Sequence, residues 1–171
     1  KGTDFTVRWE RLMRVFARYI GREPTVDERV FRSERETGHR NRALAHLMYG
    51  FGILEERPED VLDLYFRQCS IDVTCCDLAL IGACLANAGV NPVTGQVALH
   101  RDYVPRVLSV MSSCGMYDAS GAWLYKVGMP AKSGVGGGIV AVLPGQIGIG
   151  VYSPGLDDQG NSVRGVAVCE A

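Results

Sequence analysis

Lys132, Ser133, Gly134 and Val135, followed by Gly136, Gly137 and Gly138, put a cation, a hydroxyl and a run of bare backbone into one short segment. With no side chains in the way, backbone N–H groups can approach a ligand closely there, which suits an anion or an oxyanion forming on a reacting carbonyl. A glycine run also serves as a flexible turn between strands. Three further segments are too particular for plain core. Ser33 to Asn41, S-E-R-E-T-G-H-R-N, crowds charge and amide groups around Gly38, as a solvated loop between helices or as a polar binding element. Leu64 to Ser70 sets Tyr65 and Phe66 near a helix end, where a buried phenol would need a partner. Tyr117 stands between Gly115 and Gly121, where a tyrosine can relay a proton or anchor packing.

These residues need a scaffold, and the sequence describes one. Trp9, Leu12, Met13, Phe16 and Ile20 follow helical spacing and stop at Gly21. Arg42 to Phe51 predicts a second helix, and Glu59 to Phe66 a third opened by Pro58. Thr74 is the expected cap of a fourth carrying Leu78, Ile81, Leu85 and Ala88 on one stripe, and Asp102 to Cys114 gives a fifth. Ile139 to Leu143, the Pro144-Gly145 step and Ile147, Ile149 and Val151 alternating with Gly148 and Gly150 predict a hairpin. The glycine face of its second strand invites a helix to pack closely, and the closing segment Asn161 to Ala171 is the expected occupant. Trp123, Tyr125 and Val127 alternate with Leu124 and Lys126, which predicts a third strand leading into the Lys-Ser-Gly step. Helices first and an antiparallel sheet second make an α+β arrangement.

The 171 residues fit one domain, carry 18 Lys and Arg against 19 Asp and Glu, and have a formal net charge of −1. That balance argues against nucleic acid or an anionic membrane as the main partner. No apolar run approaches about 18 residues, so neither a transmembrane span nor a signal peptide is expected. Cys69, Cys75, Cys76, Cys84, Cys114 and Cys169 form no Cys-x-x-Cys pair, and His39, His46 and His100 are not spaced as metal ligands beside them. Reduced core thiols, no metal and a cytoplasmic location are the expectation.

Six ordered strings resemble the serine-dependent glutaminases: F-R-S-E-R-E-T-G-H-R-N-R-A, L-D-L-Y-F-R-Q-C-S-I, L-A-N-A-G-V-N-P-V-T-G, M-S-S-C-G-M-Y-D-A-S-G, P-A-K-S-G-V-G-G-G-I and Y-S-P-G-L-D-D-Q-G-N-S-V-R-G. The resemblance runs from about Thr25 to the end and is loose before it. It implies a fold like that of β-lactamases and penicillin-binding proteins, with helices and a small antiparallel sheet. It also implies hydrolysis of the side-chain amide of L-glutamine to glutamate and ammonia, without a cofactor, by a protein that assembles as a dimer or tetramer. Carried over residue by residue, Glu34 holds the substrate ammonium, and Asn41 with Tyr65 fixes its carboxylate end. Tyr117 lies near the nucleophile and takes part in proton transfer, while the Val135 N–H helps build the oxyanion hole. Lys132 matches the lysine of the Lys-Ser/Thr-Gly element in the wider β-lactamase-like group.

The family's nucleophile belongs to a Ser-x-x-Lys pair, one helical turn apart. No serine in these 171 residues has lysine three positions later. Residues 1–171 are therefore expected to be a single glutaminase-like domain, incomplete on its N-terminal side. The competing reading is a non-catalytic module that binds glutamine or a partner subunit, and a weaker one is a β-lactam-binding hydrolase.

Overall fold

Asp27, Gly38 and Pro58 explain how the first part of the chain folds. In the computed structural model, which describes residues 4–171, α1 (Phe5–Ile20) ends at Gly21 with φ +71°, a conformation that glycine adopts without strain. The chain then divides into two compact units. One comprises the described residues through Val15 with Glu23–Asp72, and the other Phe16–Arg22 with Val73–Ala171.

In the first unit β1 (Thr25–Val26) is followed by α2 (Glu28–Thr37), whose Asp27 cap accepts from the N–H groups of Arg29 and Val30 at 2.7 and 3.2 Å. Those backbone bonds hold the Asp27 carboxyl below its ordinary pKa. Gly38 then separates α2 from α3 (His39–Gly50), so the segment read as a solvated loop or a polar binding element is in fact two helices joined at one residue. A Cβ at Gly38 would lie 2.5 Å from Phe66 Cζ and 2.6 Å from the Glu34 carbonyl oxygen. The joint is therefore occupied by glycine because a core ring sits where a side chain would be. Pro58 opens α4 (Pro58–Cys69), as expected, and β2 (Ile71–Asp72) pairs antiparallel with β1. Phe31, Ala45, Leu62 and Phe66 form the core of this unit.

The second unit is built on backbone contact. Thr74 caps α5 (Cys75–Ala86) in a reciprocal capping box with Asp77. Asp77 is buried, and Arg22 reaches it at 2.6 and 3.2 Å. Burial alone would raise its pKa, but the bonds from Arg22 and Thr74 outweigh that and lower it. A 3-10 turn at Arg101–Tyr103 leads into α6 (Val104–Cys114). Next come α7 (Ser120–Val127), β3 (Ala131–Ser133), β4 (Gly138–Leu143), β5 (Ile147–Tyr152) and α8 (Val163–Glu170). The sheet order is β3-β4-β5, all antiparallel, with Ser133 opposite Ile139 and Gly138 opposite Tyr152. Pro144-Gly145 turns β4 into β5, with Gly145 at φ +75° and the Gln146 N–H bonded to the Leu143 carbonyl.

Three expectations are corrected here. Trp123 to Val127 belongs to α7 and not to a strand: Trp123 is buried and Val127 half-buried one turn on, while Tyr125 between them is 92% exposed. The glycine face of β5 is covered by α5, not by α8. A Cβ at Gly148 would lie 2.0 Å from the Ala83 nitrogen, and one at Gly150 2.4 Å from the Ala79 nitrogen. Helix α8 contributes Val166 and Cys169 to a different cluster, formed by Met116, Trp123, Ala131, Ile139 and Ala141. Val140 and Val142, which alternate with those last two, instead pack with Leu85 and Met111. Finally, the cysteines are free but are not core thiols as a group: Cys84 is buried, Cys169 half-buried, and Cys69, Cys75, Cys76 and Cys114 are exposed. No helix among the described residues is long and apolar enough to cross a membrane.

Candidate functional site

The candidate residues fall into two groups, one per unit. In the first unit Glu34 lies on α2, Asn41 in the first turn of α3 and Tyr65 on α4. Glu34 is half-buried and forms no ion pair among the described residues, leaving its charge uncommitted. Tyr65 meets Phe66 edge to face, with ring centroids 6.0 Å apart. Cys69, one turn beyond Tyr65, links two of the three candidates. Although the residue as a whole is exposed, partial desolvation of its sulfur pushes the thiol up, a hydrogen bond with the Tyr65 side chain opposes this, and the Glu34 charge adds to the rise. Asn41 is half-buried and its side chain forms no hydrogen bond among the described residues, so no hydrogen bond ties it to the other two. A cavity of about 1080 Å³ in this unit is lined by Arg8, Arg35, Glu56, Asp63 and Phe66 among others and by none of the three candidates.

In the second unit Tyr117, Lys132 and Val135 are brought together around the end of β3. Tyr117 opens a 3-10 turn at Tyr117–Ala119 and holds φ +54°, the left-handed region that a side chain rarely adopts. Its hydroxyl donates to the Ser133 carbonyl at 3.4 Å. Lys132 Nζ lies 4.6 Å from the centre of the Tyr117 ring and donates to the same carbonyl. Burial lowers the pKa of Lys132, while Cys114 nearby acts the other way. Ser133 itself is buried, and its Oγ has no partner among the described residues.

Beyond β3 the chain turns through Val135 and Gly136. The Gly137 N–H returns to the Gly134 carbonyl, and the Gly134 N–H to that of Gly138, both at 2.9 Å. Val135 is 69% exposed, and its N–H donates to no acceptor among the described residues. A Cβ at Gly160 would lie 3.6 Å from the Tyr117 ring and 3.8 Å from a Val135 methyl, so both candidates flank that glycine. A free amide beside a phenol and an ammonium can stabilise negative charge and move a proton. No cluster of metal-ligating side chains occurs among the described residues.

Sequence reasoning passed over Ser120, Asn161 and Cys69. Cys69 was legible as the i+4 neighbour of Tyr65 on a helix, and Ser120 as a hydroxyl three residues beyond Tyr117. Asn161 carries no local signal, because its partner is 45 residues away.

The fold and site define an α+β protein with Lys132 and Ser133 on the edge strand of a three-stranded antiparallel sheet, beside a tyrosine in left-handed conformation. The comparisons narrow the class: the glutaminase family model matches residues 1–171. A glutaminase of Trichormus variabilis is 59% identical over 170 residues, 99% of this chain and 51% of that protein. Glutaminase 1 of Bradyrhizobium diazoefficiens is 51% identical over 163 residues, 95% of this chain and 27% of that one. Among solved structures, a Bacillus subtilis glutaminase in covalent complex with 5-oxo-L-norleucine, formed by reaction with 6-diazo-5-oxo-L-norleucine, superposes with a TM-score of 0.94 at 40% identity. That match covers 99% of this chain and 61% of the other. The chain belongs to the glutaminase family, and it spans about half the length of the Trichormus variabilis relative it matches.

Proposed function

We propose that the whole protein hydrolyses the side-chain amide of L-glutamine to L-glutamate and ammonia, through a serine nucleophile carried outside residues 1–171. Family membership over the full chain supports the reaction, and the absence of a Ser-x-x-Lys pair from these residues motivates the second clause. The trapped Bacillus subtilis relative is consistent with a nucleophilic route, because diazo ketones alkylate nucleophiles with loss of nitrogen.

In this reading the nucleophile adds to the amide carbon, and the resulting oxyanion accepts from the Val135 N–H. Tyr117 takes up the proton that the attacking hydroxyl releases and passes it to the leaving nitrogen as collapse breaks the C–N bond, and water then hydrolyses the acyl-enzyme. Glu34 holds the substrate ammonium, and Asn41 and Tyr65 hydrogen-bond its carboxylate. Lys132, sharing a carbonyl with Tyr117, supplies positive charge to the proton-transfer step. The overall arrangement is that of the β-lactamase and penicillin-binding-protein group. The protein acts as a cytoplasmic homo-oligomer, a dimer or tetramer, with no nucleic-acid or membrane partner, in keeping with its balanced charge.

The observation that carries the chemistry is the uncommitted Val135 amide next to a strained Tyr117. Tyr117→Phe in the whole protein tests it. Turnover of glutamine should fall on the order of 100-fold or more with KM little changed. Unchanged turnover would remove Tyr117 from the mechanism.

A further inference from the structure

A tyrosine held at φ +54° returns to ordinary backbone unless its surroundings hold it there. The Met116–Tyr117 segment is held by three hydrogen bonds from two side chains. The Met116 N–H donates to Ser120 Oγ at 3.0 Å, and Ser120 Oγ donates to the Tyr117 carbonyl at 2.7 Å. From the far side, Asn161 Nδ2 donates to the Met116 carbonyl at 3.3 Å. Met116 and Ser120 are both buried, and Asn161 is fully so. Asn161 has no freedom to wander. Its N–H and that of Gln159 donate to Asp157 Oδ1 at 2.8 and 3.0 Å, and its carbonyl accepts from the Asp157 N–H at 2.8 Å. The next residue, Ser162, caps α8 and donates to the Ser153 carbonyl at 2.7 Å. Gly160, at φ +89°, faces the Tyr117 ring, which a Cβ there would meet at 3.6 Å.

We infer that the closed loop Asp157–Asn161 is the element that positions Tyr117, and that Asn161 is a positioning residue for the reaction, acting through the Met116 carbonyl. The inference rests on the proton-transfer reading of Tyr117. Ser120 lies three residues from Tyr117 and can organise the turn locally. Among the described residues, Asn161 is the one whose side chain hydrogen-bonds that turn to a distant, independently closed loop. Without its donation the Met116 peptide can rotate, Tyr117 can relax towards negative φ, and its hydroxyl leaves the Ser133 carbonyl.

Asn161→Ala in the whole protein should lower kcat about 10- to 100-fold while KM stays within about threefold. In a Tyr117→Phe background the same change should cost no further factor beyond about two, because a residue acting through Tyr117 has nothing left to position. An unchanged kcat for Asn161→Ala, or a full additional loss in the double variant, overturns the inference. Asn161→Asp covers the case in which the alanine variant does not fold. It keeps the side chain's size, and its carboxylate cannot donate whereas its protonated form can. Its kcat relative to the parent should therefore climb as pH falls, and a flat ratio overturns the inference. The 13C shifts of labelled Tyr117 read its backbone without reference to turnover, and in Asn161→Ala, or in Asn161→Asp at high pH, they should leave the left-handed range. If they stay, positioning is wrong. If they move while Tyr117→Phe remains fully active, the proton-transfer reading is what fails.

Discussion

Gly115→Ala is the sharpest probe of how β3 is seated. Gly115 follows the last residue of α6, and its carbonyl accepts from the Ser133 N–H at 2.9 Å. A Cβ built there would lie 1.8 Å from the Ala131 carbonyl oxygen and 2.4 Å from that of Met111, both parts of the backbone. A methyl carbon needs roughly 3.2 Å from such an oxygen, so the end of β3 must retreat by roughly 1.4 Å. A retreat of that size takes the Ser133 bond past hydrogen-bonding length, at about 1 kcal/mol. It also disturbs the packing of fully buried Ala131 and Ile139, at about 1–3 kcal/mol. The expected loss is about 2–4 kcal/mol in urea unfolding of the whole protein. Glutamine turnover should fall with it, because the Tyr117 hydroxyl bonds to a carbonyl on the displaced strand. Gly121→Ala is the matched control. Gly121 is on α7 with nothing near its Cβ position, and alanine there should stabilise by about 0.5–1 kcal/mol. If Gly115→Ala unfolds within about 0.5 kcal/mol of the parent and keeps its turnover, the close approach is not real and the reasoning fails.

Asp77 and Cys84 give two further tests. Arg22 and Thr74 hold the Asp77 pKa below its ordinary 3.8, so this carboxylate stabilises the fold above that pH and the benefit disappears as pH drops through the lowered value. Arg22→Met should shift the acid-unfolding midpoint upward, and an unmoved midpoint would mean that the pair contributes nothing. Burial pushes the Cys84 thiol up to about 11, so it stays neutral in the folded protein at pH values where the unfolded chain ionises it. Stability should decline as pH rises from about 9 towards 11 and less so in Cys84→Ala. Mass spectrometry after maleimide treatment at pH 8 should find Cys84 unlabelled until denaturant is added.

Much of the scaffold was readable because single residues with strong local physics mark it. Gly21 stops α1, Pro58 opens α4, Thr74 caps α5, and Pro144-Gly145 turns the hairpin. The misreading of Trp123 to Val127 shows the limit of periodicity. Five residues fit both a strand and a helix, and what decides is that Trp123 and Val127 share a face while Tyr125 points to solvent. Gly128, at φ +75° and bonded back to the Leu124 carbonyl, was the overlooked stop signal. The glycine stripe on β5 was correctly read as a place of close approach, but nothing local says which helix comes. α5 wins because it offers Gly82 and Ala79 in return. At the candidate site the residue types were legible, whereas the left-handed Tyr117 and its support by Asn161 follow from tertiary contacts alone.

The seating of α5 on β5 has a mechanical consequence. Where side chains separate two layers, rotamer changes absorb small displacements; here Gly148, Gly150 and Gly82 bring main chain against main chain and leave no such buffer. Helix and hairpin must therefore shift as one slab. Because β3 hydrogen-bonds to β4 within that sheet, Lys132 and Ser133 take their coordinates from α5 as much as from their own strand. A single methyl added anywhere along this seam should be felt at the Tyr117 hydroxyl, whereas far larger changes on the solvent face of α7 should pass unnoticed there.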